Sequence, residues 1–224
     1  MKFLNPVHQL VAGATGSGKS YFVGFVIEKL YEEDRNFIIL DTKTKNHIGL
    51  ITLKNVKLLK IKPQIRYDFK KLLDFDQILC IPTKSTTTDY LISQYLILLT
   101  EVFRAGKPYT IILEEAHHYA ESSRKPYPIV ELLVREGRGQ GQNCIFITQR
   151  ILDFPKILWA NCYLTYLFKI LIPNDINYVA QIIPNFRELN SRLKKHEILE
   201  YDHITNEFSI IRPYEILRKT KHYG

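Results

Sequence analysis

Cysteine, methionine and tryptophan are scarce in this chain, whose 224 residues carry three, one and one of them. Cys80, Cys144 and Cys162 lie in separate apolar runs without CxxC spacing. That excludes a disulfide framework and a thiolate metal site, and predicts buried, reduced thiols. Long unbroken apolar runs are missing as well. The two longest, 90–103 and 159–173, are interrupted by Ser93, Gln94, Thr100, Glu101, Asn161 and Lys169, so neither reads as a membrane span. The opening Met1-Lys2-Phe3-Leu4-Asn5-Pro6 breaks before an apolar core develops, so no signal peptide is expected. His117, His118, His196 and His203 lack metal-ligand spacing and read as solvated or packed rather than as zinc ligands. Acids are short over 41–71, where nine Lys and Arg face two acids. The resulting +7 is nearly the whole formal charge of +8 and points towards a polyanionic partner. These absences together suggest a soluble intracellular protein.

Apolar residues make up 46% of the chain, enough for one substantial core, and residues 1–224 are expected to form a single α/β domain. The stretch that organises the rest is Gly13-Ala14-Thr15-Gly16-Ser17-Gly18-Lys19-Ser20. It fits G-x-x-x-x-G-K-[ST], follows the apolar run Leu10-Val11-Ala12 and opens an amphipathic segment at Tyr21-Phe22-Val23. The residue types suit a phosphate cradle. Glycines let successive N–H groups curl around the oxygens, and the helix starting near Lys19 adds its positive end. Lys19 is placed to reach the β- and γ-phosphates of ATP, and the Ser20 hydroxyl to ligate Mg²⁺.

Strand-like apolar runs at 36–41, 77–81, 109–113, 143–148 and 162–168 alternate with helical patterns at 19–33, 85–104 and 128–136. That alternation predicts a mainly parallel sheet covered on both faces. A helical region over 174–193, split by Pro184, and a closing hairpin around Asp202-His203 complete the chain. The run 56–61 reads as a strand near a sheet edge. Lys43, Lys45, Lys54 and Lys57 have two readings of equal standing, contact with DNA or protection of that edge.

P-loop proteins hold their metal with an acid on a neighbouring strand. Glu114 and Glu115 end the run 109–113, with Glu114 expected on the metal side and Glu115 expected to polarise an attacking water. An ordinary helix N-terminus is the alternative. Gln149, at the tip of another apolar run, could bond both the γ-phosphate and that water, or simply be a polar strand end.

In their order and spacing, the P-loop, Glu114-Glu115-Ala116-His117, Arg135-Glu136-Gly137-Arg138 and Ile147-Thr148-Gln149-Arg150 resemble the FtsK–HerA superfamily of DNA-pumping ATPases. One departure is Glu114, where that family usually has Asp. The resemblance implies a P-loop NTPase fold of the additional-strand, catalytic-Glu type, and an ATPase that translocates double-stranded DNA as a ring-shaped homo-oligomer, a hexamer. It also implies an arginine finger offered to a neighbouring subunit, from Arg138 or Arg135. Arg138 is preferred, because Arg135 could merely complement its helix C-terminus. In length the chain looks like a bare motor, similar to the genome-packaging ATPases of tailless icosahedral viruses with internal membranes, such as Sulfolobus turreted icosahedral viruses. That reading implies the host cytoplasm, with a transient place at the capsid or in the virion, and a capsid vertex or portal and membrane-associated virion proteins as partners. A cellular HerA or conjugation-type pump, a small-molecule P-loop kinase and a nucleotide-regulated scaffold are the competing readings.

Overall fold

A computed structural model describes residues 2–122 and 125–223. In chain order the strands and helices are β1 (Gln9–Ala12), α1 (Lys19–Glu32), β2 (Phe37–Leu40), β3 (Lys57–Ile61), α2 (Phe69–Leu72), β4 (Gln77–Pro82), α3 (Thr88–Ala105), β5 (Thr110–Leu113), β6 (Ala120–Ser122), β7 (Lys125–Pro126), α4 (Pro128–Glu136), β8 (Asn143–Thr148), α5 (Lys156–Ala160), β9 (Leu164–Phe168), α6 (Pro173–Ala180), α7 (Phe186–Arg192), β10 (Ile198–Asp202) and β11 (Glu207–Ile211). Among the described residues nine strands form one sheet in the order β11-β10-β9-β1-β8-β5-β2-β4-β3. From β9 to β3 every pairing is parallel, while β10 and β11 append an antiparallel hairpin. The expected α/β architecture is present.

The central strands are apolar without alternation because helices cover both faces. Phe37–Leu40 and Thr110–Leu113 are buried at every position. On one face α1 packs Phe22, Val23, Val26 and Ile27 against Val11, Ile39, Ile112 and Ile147. On the other, α3 to α7 bury Tyr95, Leu98, Leu133, Trp159 and Phe186 against Leu10, Ile38, Ile111 and Phe146. The three cysteines are free and buried.

Local signals set the boundaries. Thr87 caps α3 by accepting from the Tyr90 N–H, and Gly106 ends it in the left-handed region at φ 63°. Pro128 occupies the first turn of α4, where its missing N–H costs nothing. Two expectations shift. Cys162 belongs to the turn leaving α5, its N–H donating to the Trp159 carbonyl at 2.8 Å, so β9 starts at Leu164. The hairpin expected from 197–199 and 204–211 instead pairs β10, which runs on to Asp202, with β11, which starts only at Glu207, because Asp202 Oδ1 accepts from the Ile204 and Thr205 N–H groups and makes 203–206 the turn. The five residues of α5 are too few to leave a helical period in the sequence. At the sheet's end, β3 exposes Lys57 and Lys60, which fits edge protection.

Candidate nucleotide site

The C-terminal ends of the parallel strands meet at the loop after β1, where open α/β sheets place their ligands. Gly18 caps α1 at φ 109°, a conformation that a side chain would strain, and its missing Cβ leaves room for His196 Nδ1. That His196 nitrogen donates to the Ser17 carbonyl at 2.8 Å, fastening the loop from the segment before β10. Lys19 Nζ bends back over the loop, 2.9 Å from the Gly13 and Ala14 carbonyl oxygens. Burial lowers the Lys19 pKa, opposed by Glu115 and Glu114. The Ser17 hydroxyl is buried without a hydrogen-bond partner. A cradle with an orphaned donor and a bent-back ammonium fits a phosphate, whose oxygens would take up both.

Glu114 and Glu115 follow β5 directly, and their side chains are 4% and 14% exposed. Glu114 Oε1 lies 2.6 Å from His47 Nε2. Asp41, just past β2, accepts from the Lys43 N–H at 2.8 Å and the His47 N–H at 3.3 Å. Burial pushes the Asp41 carboxyl up to about 7, with His47 opposing and Glu114 adding to the rise. Glu115 is held at φ 49°, ψ 53°, a left-handed conformation uncommon outside glycine and frequent at functional sites. Its carboxylate meets Lys43 Nζ at 3.3 Å and His117 Nδ1 at 3.7 Å. Burial and the neighbouring His118 lower His117 to about 4, so at neutral pH the ring is uncharged, with its Nδ1 3.3 Å from the Thr148 hydroxyl. Gln149, past the end of β8, accepts a hydrogen bond from the Thr15 hydroxyl.

Beside the loop lies a cleft of about 680 Å³, which Lys43 and His196 also line. Lys19, Ser20, Glu114, Glu115 and Gln149 line its polar end. Among the described residues no cluster of three or more His, Cys, Asp or Glu side chains could hold a metal alone. That suits Mg²⁺, which takes one or two protein oxygens and completes its shell with phosphate and water. Ser20 and Glu114, the oxygens expected to hold it, both line this cleft.

Of the remaining predicted residues, Lys43 lies over the cleft, paired with Glu115. Lys45, Lys54 and Lys57 are exposed, and Lys57 Nζ sits 4.6 Å over the Phe75 ring. Arg135 pairs with Glu131 across one turn of α4, at 2.7 Å. Arg138 hydrogen-bonds the Tyr163 hydroxyl and stacks 4.9 Å from its ring. Tyr163 precedes β9 and its N–H donates to the His8 carbonyl, at the end of the sheet opposite the P-loop. Sequence reading missed Asp41 and His47, although Asp41 ends an apolar strand just as Glu114 does. It also read His196 as solvated or packed.

The family described as helicase HerA, central domain, matches residues 5–128. The chain belongs to that family. It is therefore a nucleotide-binding P-loop ATPase of the FtsK–HerA type. No curated sequence matches it. The fold resembles the genome-packaging NTPase B204 from Sulfolobus turreted icosahedral virus 2 in complex with ATP-γS, with a TM-score of 0.73 and 19% identity over 94% of this chain and 99% of that one. It also resembles the bacterial conjugative coupling protein TrwBΔN70 (TM-score 0.68, 9% identity, 92% of this chain and 84% of that one). VirB4 of Thermoanaerobacter pseudethanolicus is similar at TM-score 0.66 and 11% identity, over 93% and 90%.

Proposed function

We propose that this ATPase pumps double-stranded DNA as a ring of identical subunits, a hexamer, and that its DNA is a viral genome loaded into a preformed capsid. The residues divide the work as follows. The loop Gly13–Ser20 and Lys19 hold the triphosphate, Ser20 and Glu114 the Mg²⁺, which when bound neutralises phosphate charge. Glu115 accepts the proton of the attacking water. Gln149 orients that water and, through Thr15, links it to the phosphate loop. The similarity of B204, whose name carries genome packaging, over nearly the whole of both chains supports the viral reading. TrwB and VirB4 support the wider class of DNA pumps. The host cytoplasm and a capsid vertex are the place and partner that the viral role entails.

One observation carries the ring. Among the described residues no arginine lines the cleft, whose flexible cations are Lys19 and Lys43. Stabilising the γ-phosphate in trans by an arginine is worth about 10³–10⁵ in rate where it occurs. Arg138, outside its own cleft, is the donor proposed to a neighbour. The test mixes two inactive variants: Lys19→Ala lacks a working site but still lends Arg138, whereas Arg138→Ala has a site and no arginine to lend. Mixed rings should recover part of the phosphate release. Co-assembly without recovery would remove Arg138 from the role and leave Arg135 to be tested.

A further inference from the structure

The cleft has a second end that the phosphate chemistry does not use. Pro213, Ile216, Leu217 and His222 line it, together with Tyr21 and Phe168. Leu217 is 71% exposed and Tyr21 36%, so large apolar surfaces face an open space beside a triphosphate cradle. An apolar slot next to a phosphate site is the shape that a flat heterocycle fills.

The wall is held from behind. Residues 213–222 run across the outer side of α1, where Glu28 is 3% exposed and Arg218 entirely buried. Arg218 Nε lies 3.4 Å from Glu28 Oε1. The same carboxylate accepts from the Lys219 N–H at 2.7 Å, from the Thr220 N–H at 2.8 Å and from the Thr220 hydroxyl. Lys219 Nζ adds a pair with Glu32 at 2.6 Å. Two glycines clear the path. A Cβ on Gly24 would sit 2.3 Å from Arg218 Nη1, and one on Gly49 would sit 2.0 Å from the Lys221 carbonyl oxygen. A backbone oxygen cannot swing aside, so the close approach at Gly49 requires glycine. The ring of His222 then meets that of Tyr21 edge-on, 5.7 Å between centroids, and joins the strap to the cleft.

We propose that segment 213–222 is the wall against which the nucleobase of a bound nucleoside triphosphate packs, and that Glu28 and Arg218 are positioning residues that hold it there. The proposal rests on the nucleotide-site reading above. The polar end of the cleft reads the triphosphate, and the strap supplies the affinity for the nucleoside. Because the wall is apolar, it selects a planar ring by stacking and contact rather than by a hydrogen-bond pattern.

The experiment measures binding of a non-hydrolysable ATP analogue and of inorganic tripolyphosphate, each with Mg²⁺, to the full chain by calorimetry. Wild type should bind the analogue more tightly than tripolyphosphate. Leu217→Ala, at an exposed position that cannot unsettle the core, should weaken the analogue by roughly 3- to 10-fold through lost apolar contact and leave tripolyphosphate unchanged. Glu28→Gln should do the same and also expose 213–222 to protease, with the analogue protecting wild type from cleavage. Equal weakening of both ligands, or analogue binding within about twofold of wild type in both variants, would overturn the proposal. If wild type binds neither ligand, the nucleotide-site reading fails, and this inference with it.

Discussion

Replacing Glu115 by Gln separates chemistry from binding more cleanly than any other single change in the cleft. The amide matches the carboxylate in size, and both side chains carry the same cost for the left-handed backbone at φ 49°. What is lost structurally is the pair with Lys43, whose own side chain is 54% exposed. An ion pair that open to solvent is worth roughly 0–1 kcal/mol, so stability should hardly move. What is lost chemically is the proton acceptor, which contributes on the order of 10²–10⁴ in rate, or about 3–5 kcal/mol of barrier. Nucleotide binding should persist, because Lys19 and the loop N–H groups are untouched. The assay pairs phosphate release at saturating ATP and Mg²⁺ with equilibrium binding of the analogue. Lys43→Met serves as control: it breaks the same pair while sparing the base, and should cost less than about tenfold in rate. A Glu115→Gln protein that still turns over, beside a Glu114→Gln protein that binds and does not, would reverse the assigned roles of the two glutamates.

Two further outcomes follow from charge. Burial lowers His8 from 6.5 to about 4, and its Nδ1 accepts the Cys144 N–H at 3.0 Å, so the folded chain holds it neutral. The stability it contributes is fully present above pH 6.5 and is lost as pH falls towards 4. Urea unfolding at pH 7 and 4.5 should show wild type losing roughly 2–3 kcal/mol more than His8→Asn, and equal losses would contradict the burial argument. DNA binding should ignore sequence and weaken steeply with salt, by about 0.9 in log–log slope for each phosphate neutralised. Charge reversal at Lys45, Lys54 and Lys57 should flatten that slope; an unchanged slope leaves those lysines as guards of the β3 edge.

Much of the phosphate end was legible because its signals are local. Gly18 must bend where α1 begins, and Lys19 and Ser20 are fixed by their place on the helix's first turn. Glu114, Glu115 and Gln149 follow apolar strands, and neighbouring parallel strands bring such ends together. The contacts that escaped depend on long-range packing. His47 reaches Glu114 from 67 residues away, and nothing in its own neighbourhood marks it. The strap reaches Glu28 from beyond residue 217, yet here the sequence did carry a trace. Helix α1 buries Phe22 to Glu28 without a break, and a helix apolar on all sides is covered on all sides. An acid and a glycine within such a helix, Glu28 and Gly24, need a partner that crosses it.

The basic segment that seemed uniform in sequence is divided by the fold. Between β2 and β3, Lys43 and His47 turn inward to the two glutamates, and Asn46 lines the same cleft. Lys45 and Lys54 of this connection turn outward, next to the exposed Lys57 of β3. Gly49 lies under the strap, so the segment is braced on its third side by the C-terminal residues. A γ-phosphate arriving at Lys19 would compete with Glu115 for the Lys43 ammonium, and any shift of Lys43 must be taken up by a loop that carries the outward lysines. A pump needs nucleotide state and DNA grip to be parts of one mechanical element. This connection touches both the glutamates proposed for catalysis and a basic surface, which is why charge reversal at Lys45 and Lys54 bears on coupling as well as on affinity: hydrolysis stimulated by DNA in wild type should fall to its DNA-free level in that variant, while the DNA-free rate stays as it was.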